Sequence, residues 1–532
     1  MQILECAPTR GFFKPHETIE IKVRLKADHP VAAKLRLTVS HMQTTVAQQE
    51  QDVPAFLGES WFEFIVPPIS SQPQGYGLKV ELFDLAGDVL DCRYSAVDTL
   101  YDWTDFPRYG FLTDFTAQRT DLDAALDTMA AYHLNGIQFY DWQYRHDTLI
   151  SAVEEFVDPL GRSLSMKTVR SLIDGAHRRG MAAMPYLAVY AASLDFWSAH
   201  PDWGLFDEQG KALDFEGFLG LMDPTSGSPW IAHLTAECER VLAEMPFDGL
   251  HVDQYGEPKI AYNSRGAAVD LSQAFKDFVS QLKTAFPDHA VVFNAVGNWP
   301  IDELAASPQD FVYIEIWPPK VTFKDVLQIV SEARAKSGGK PVVIALYLPA
   351  ERTVNIRLAN AVIMACGGSR IELGENGRLL SDPYFPKHEE RSPILVEVMR
   401  SYQDFLVRYG ELLGPAAENM TEMEGLLLPQ DVIAVSRRNG ATWGLSLINF
   451  SGLETPRWDE PQVAPTPLRD VFISMSLPEQ PEKIWVASPD AVSPELNALP
   501  FTWQDEKVKL TLPMLDFWSL LVIQFKNEVN GS

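Results

Sequence analysis

Residues 249–255 read GLHVDQY and residues 311–317 read FVYIEIW. Each is a short apolar run that stops on a carboxylate, Asp253 in the first and Glu315 in the second. Runs of this length without strict alternation are the mark of parallel strands covered on both faces. Six more follow the same plan: GIQFYDW at 136–142, MAAMPYLAVY at 181–190, LGLMDP at 219–224, AVVFNAVG at 290–297, PVVIALYL at 341–348 and RIELGE at 370–375. Helical stretches separate most of them, although the connection before LGLMDP is long and lacks a clean helical period. Eight such strands with intervening helices predict a closed (β/α)8 barrel, an α/β fold of the TIM-barrel type.

Outward from the barrel the texture changes. In the first hundred residues Ile19, Ile21, Val23 and Leu25 alternate with Glu20, Lys22, Arg24 and Lys26, and the same period returns at Leu35, Leu37 and Val39. With a turn at Ala86–Asp88 between two further runs, this predicts a β-sandwich. After a helix near Pro393–Leu413, strand-like runs return at 432–436, 443–449, 483–488, 508–512 and 518–524, with a Pro-rich loop PQVAPTP at 461–467. Three domains are expected: an N-terminal β-sandwich at 1–100, a catalytic barrel at 101–413 and a C-terminal antiparallel β domain at 414–532.

Composition narrows the partners. A net charge of -28 and a pI near 4.8 disfavour nucleic acid and anionic membrane surfaces, which repel such a surface, and suit a neutral ligand such as a sugar polymer. Cys6, Cys92, Cys238 and Cys366 show neither CxxC spacing nor a disulfide framework and read as free, mostly buried thiols. No run approaches 18 apolar residues, and the N-terminus MQILECAPTR lacks a basic region followed by an apolar one. The expectation is a cytoplasmic protein, or a secreted one whose signal has been removed.

In a barrel the C-terminal ends of the strands carry the chemistry. Two carboxylates on different strands, converging on one mouth, are what glycosidic bond cleavage needs: one attacks or stabilises the anomeric carbon, the other protonates the leaving oxygen. Asp253 and Glu315 fit those roles. Neighbouring strand ends supply Tyr140, Asp141, Trp142, Tyr190, Gln254, Asn294, Trp317 and Glu372 as candidate substrate-binding residues, a mixture of aromatic platforms and polar groups suited to sugar hydroxyls. The bland reading of each carboxylate is an ion pair or a helix cap. A metal site built from His251, Asp253, Asp141 and Glu372 is the rival for the same residues, weakened by the lack of HxH or HExxH. His133 reads as a structural histidine, and GGSRIELGENG lacks the strand–GxGxxG–helix context of a dinucleotide site. No metal is expected.

Several separated motifs, in order, resemble glycoside hydrolase family 66, the dextranases and cyclo-isomaltooligosaccharide glucanotransferases. They are SAVDTLYDWTDFPRYGFL at 95–112, HLNGIQFYDWQYRHD at 133–147, FDGLHVDQYG at 247–256, YIEIWP at 313–318, RIELGENGRLLSDPYFP at 370–386 and WDEP at 458–461. The resemblance implies Asp253 as nucleophile, Glu315 as general acid/base, a retaining mechanism, no cofactor, an immunoglobulin-like N-terminal sandwich and a Greek-key-like C-terminal module. It also implies α-1,6-glucan (dextran) or isomaltooligosaccharides as the partner. The chain departs from the pattern at QYRHD, where a more basic, His-rich segment is expected, which puts contacts from Arg145 and His146 in question. The glucanotransferase branch also carries an inserted carbohydrate-binding module, for which the stretch from LYLPAERTVN to CGGSRIELGE leaves no room. The expected activity is therefore endo-hydrolysis of dextran to isomaltooligosaccharides, with cyclising transglycosylation and noncatalytic α-glucan binding as alternatives.

Overall fold

The computed structural model describes residues 1–383, 387–420 and 423–526; the last three residues of RIELGENGRLLSDPYFP lie outside them. Eight parallel strands pair in chain order: β1 (Tyr109–Leu112), β2 (Gly136–Phe139), β3 (Ala182–Ala188), β4 (Gly249–Asp253), β5 (Ala290–Val296), β6 (Val312–Glu315), β7 (Val342–Ala345) and β8 (Gly368–Ile371). The ring is drawn shut where Phe111 N–H donates to the Leu373 carbonyl at 3.0 Å and Ser369 Oγ donates to the Pro107 carbonyl at 2.7 Å. A helix follows every strand. Their starts are written in the sequence: Ser228 caps Pro229–Glu244, whose proline fills the first turn, and Thr322 with Asp325 forms a capping box on Phe323–Lys336.

One predicted strand belongs elsewhere. LGLMDP is not the third barrel strand: Leu219–Leu221 pairs antiparallel with Ala191–Ser193 and with Asp214–Phe215, in a small sheet within the long excursion from β3 to the helix Pro229–Glu244. The missing eighth strand is YGFL, at the end of the motif SAVDTLYDWTDFPRYGFL. Both are short runs buried on both faces, and burial alone does not report the direction of the partner strand.

Residues 2–99 form five antiparallel strands around a separate core of Ile21, Val23, Leu37, Leu78 and Val80. The predicted alternation holds, with Ile21, Val23 and Leu25 buried and Glu20, Lys22 and Lys26 exposed. The immunoglobulin-like pair of sheets is traced here as one continuous sheet. Its 23-residue strand Ile19–His41 pairs with Gln2–Pro8 over its first half and Gln74–Phe83 over its second, with register shifts between Ala27 and Ala33. This unit is locked to the barrel by the buried pair Arg108–Asp98 at 2.8 Å. Beyond the helix Pro393–Arg408, a six-stranded and a three-stranded antiparallel sheet enclose a third core that includes Leu445, Ile473, Leu510 and Leu521. Cys6, Cys238 and Cys366 are buried, Cys92 is half-buried, and all four are free. Among the described residues no helix is long and apolar enough to cross a membrane.

Candidate active site

A cavity of about 400 Å³ opens at the C-terminal end of the barrel, and Asp253 and Glu315 both line it. A larger surface groove, about 1200 Å³, lies away from these carboxylates between the N-terminal sheet and the helices Leu122–Ala131 and Pro393–Arg408. Asp253 ends β4 and Glu315 ends β6, so the strand between them, β5, controls their spacing. Asn294 on β5 donates from Nδ2 to Asp253 Oδ1 at 2.8 Å and to Glu315 Oε2 at 3.2 Å. The Tyr186 hydroxyl and the Gln254 backbone N–H further favour the ionised form of Asp253, and the Trp317 indole and the Tyr347 hydroxyl that of Glu315.

Both carboxyls are shifted upward. Burial, and then the neighbouring charge of Glu315, pushes Asp253 up to about 7, against the pull of its donors. Burial raises Glu315 as well, opposed by Trp317, Asn294 and Tyr347. Two carboxyls sharing a dry site do not both ionise readily, so the pair retains one proton near neutrality. The hydroxyls of Tyr140, Tyr186, Tyr313 and Tyr347 are driven well above their ordinary value by burial and remain neutral donors. One layer down the barrel, burial lowers His251 to about 3, and its Nδ1 lies 3.3 Å from the Tyr109 hydroxyl.

The cavity also gathers Tyr140, Asp141, Tyr190, Gln254 and Asn294. Gln254 works as a brace, donating from Nε2 to the carbonyls of Asn294 at 3.3 Å and Trp299 at 2.7 Å. Asp141, raised to about 6 by burial, stands 3.7 Å from Arg162, which is held at 2.6 Å by Asp158. Trp317 is not part of the cavity lining and acts on the site through Glu315, whose ionised form its indole favours.

Two further expected liners sit elsewhere. Trp142 is fully buried, donates to the Tyr186 carbonyl at 3.2 Å and packs on Phe247. Glu372 is buried against Arg370 at 2.9 Å and Asn360 at 3.1 Å. With Asp141 beside Arg162, Glu372 on Arg370 and His251 against Tyr109, the four residues of the rival metal shell do not converge. Arg145 bonds the carbonyls of Tyr144 and Val157, whereas His146 lines the cavity and meets Gln143 at 3.1 Å. The liners that sequence reading missed include Gln138, Tyr186 and Tyr347. Strand alternation carried a signal for Tyr186, two residues before the end of β3 on the face that points inward.

The family model for Glycosyl hydrolase family 66 matches residues 9–522. The chain belongs to that family. Among its family 66 relatives, a cycloisomaltooligosaccharide glucanotransferase of Niallia circulans is 27% identical over 368 residues, 63% of this chain. That match spans 37% of the relative's own length. A dextranase of Streptococcus salivarius is 22% identical over 92% of this chain and 72% of its own. The structure of a Paenibacillus sp. cycloisomaltooligosaccharide glucanotransferase, complexed with cycloisomaltoheptaose, superposes with a TM-score of 0.90 at 20% identity, covering 98% of this chain and 99% of that one. That agreement extends the shared fold over the barrel and both flanking β units of this family 66 protein.

Proposed function

We propose that this family 66 chain is a retaining dextranase that cleaves internal α-1,6-glucosidic bonds and releases isomaltooligosaccharides, with Asp253 as nucleophile and Glu315 as general acid/base. One observation supports this above the others. The two bonds from Asn294 Nδ2 sum to 6.0 Å, the greatest separation that Asp253 Oδ1 and Glu315 Oε2 can have. Retaining glycosidases hold their carboxyls about 5–5.5 Å apart, and inverting ones about 6.5–9.5 Å, leaving room for a water.

In the first step the Asp253 carboxylate attacks C1, the C1–O6 bond breaks, and the proton on Glu315 passes to the departing oxygen. In the second, Glu315 takes a proton from water as the oxygen attacks C1 and the ester to Asp253 breaks. Tyr186, Asn294 and the Gln254 N–H hold the attacking carboxylate, while Asp141, Gln138 and Tyr140 present polar groups to sugar hydroxyls.

A second reading, cyclising transglycosylation, gains weight from the higher identity to the glucanotransferase, 27% against 22% for the dextranase. The same intermediate serves both, with a sugar hydroxyl replacing water. Dextran digestion followed by product sizing and NMR of the first-formed anomer separates the readings. Linear products appearing as the α-anomer, and lost about 10⁴-fold in Asp253→Ala, are expected. Rings would move the chain to the transferases, β-anomers would remove the retaining mechanism, and intact dextran would end the proposal.

A further inference from the structure

The run that imitates a barrel strand builds one wall of the cavity. Asp214–Phe215 and Leu219–Leu221 are joined by a tight turn in which Glu216 and Gly217 both adopt left-handed backbone, at φ 53° and 68°. The turn is closed by Phe218 N–H donating to the Phe215 carbonyl at 2.9 Å and by Gly217 N–H donating to Asp214 Oδ1 at 2.6 Å. Left-handed backbone at a glutamate is costly, and such strain persists where surrounding structure enforces it. The enforcement is visible. The hairpin's second strand, Leu219–Leu221, is also paired on its other side with Ala191–Ser193, and a Cβ on Gly220 would lie 2.0 Å from Trp197 Cγ, so the indole lies directly on the hairpin.

This rigid hairpin turns Phe215 and Phe218 toward the cavity that holds both carboxylates. Phe215 rests against Tyr190 with ring centroids 6.0 Å apart, whereas Phe218 is left 36% exposed. Isolated exposed apolar side chains are ordinary on a convex surface. An aromatic ring held bare by a braced, strained turn in the wall of the cavity that holds both carboxylates is a binding element, because the C–H face of a pyranose covers apolar area that water otherwise wets.

We propose that the 214–221 hairpin, through Phe218, is the stacking platform for a glucosyl unit flanking the scissile linkage and sets this enzyme's preference for substrate chain length. The proposal rests on the α-1,6-glucanase reading. Calorimetric titration of Glu315→Gln with isomaltotriose, isomaltotetraose and isomaltohexaose, repeated in the Phe218→Ala and Phe218→Trp backgrounds, tests it. With Phe218→Ala, Kd should weaken roughly tenfold for the longer ligands, flattening the gain with chain length, and Phe218→Trp should restore it. In the otherwise wild-type enzyme the same loss should fall on KM rather than kcat. If Glu315→Gln binds these ligands and Phe218→Ala, with unchanged Tm, binds them equally well, the platform is overturned while the functional reading stands. If Glu315→Gln binds none and the wild type leaves dextran intact, the functional reading falls and takes the platform with it.

Discussion

Asp253 and Glu315 share one donor: the side-chain amide of Asn294 reaches Asp253 Oδ1 at 2.8 Å and Glu315 Oε2 at 3.2 Å. That amide sets the spacing of the pair and offsets part of the repulsion between them. Asn294→Ala removes a donor that favours the ionised form of both groups, so both ionisations should move to higher pH. Loss of a positioned donor to reacting carboxylates should lower kcat by about 10²–10³-fold, with KM little changed. Steady-state kinetics from pH 4 to pH 9 would show both effects. A variant with a smaller kcat but an unmoved pH profile would mean that Asn294 only packs.

The raised carboxyls also fix the sign of two pH dependences. Turnover requires one proton on the pair, so kcat/KM should be bell-shaped, falling on the alkaline side near the value of about 7 to which burial and Glu315 push Asp253. For stability, Asp253 is raised above its ordinary 3.8, so the folded state keeps a proton that the unfolded chain releases. The associated cost is absent well below pH 4 and complete above pH 7. Asp253→Asn should therefore raise Tm by ~2–4 °C at pH 8 and by much less at pH 5, measured by calorimetry. A difference independent of pH would remove the link.

Azide can assign the two roles separately. In Glu315→Ala, an activated aryl α-isomaltooligoside still forms the ester with Asp253, and azide entering the vacated space attacks from the opposite face to give the α-glycosyl azide. In Asp253→Ala, azide takes the nucleophile's place and gives the β-glycosyl azide. Each variant alone should be slower than the wild type by roughly 10³–10⁴-fold on dextran. NMR of the azide products decides, and exchanged anomers would exchange the roles.

How much of this was legible in the sequence follows from what burial patterns encode. Strands covered on both faces read as apolar runs, which is why GLHVDQY and FVYIEIW pointed to the barrel. Leu219–Leu221 is buried on both faces too, so the same pattern hid an antiparallel strand. Strand ends marked Asp253 and Glu315 because a carboxylate closing an apolar run has few ways to be satisfied. Position alone failed where the chain turns: Asp141 adopts φ 50°, and the next residue, Trp142, lies in the core instead of the mouth. It failed again at Glu372, which shares a strand face with Arg370 two residues earlier and is claimed by it.

That last pair carries its own prediction. Arg370 is buried, holds Glu372 at 2.9 Å, and donates from Nε and Nη2 to the Leu346 carbonyl at 2.9 and 2.6 Å, beside Tyr347. Removing one partner strands the other charge in a dry interior, so Arg370→Met should destabilise the enzyme by about 3–5 kcal/mol. Replacing both, as Arg370→Met with Glu372→Leu, should recover much of that loss, because the stranded charge is gone. Urea denaturation of the two single variants and the double variant measures the coupling. Were Glu372 a substrate ligand instead, Glu372→Gln would raise KM while leaving the urea midpoint unmoved. Burial behind Arg370 and Asn360 predicts the reverse: a lower midpoint, with KM for isomaltooligosaccharides close to that of the wild type.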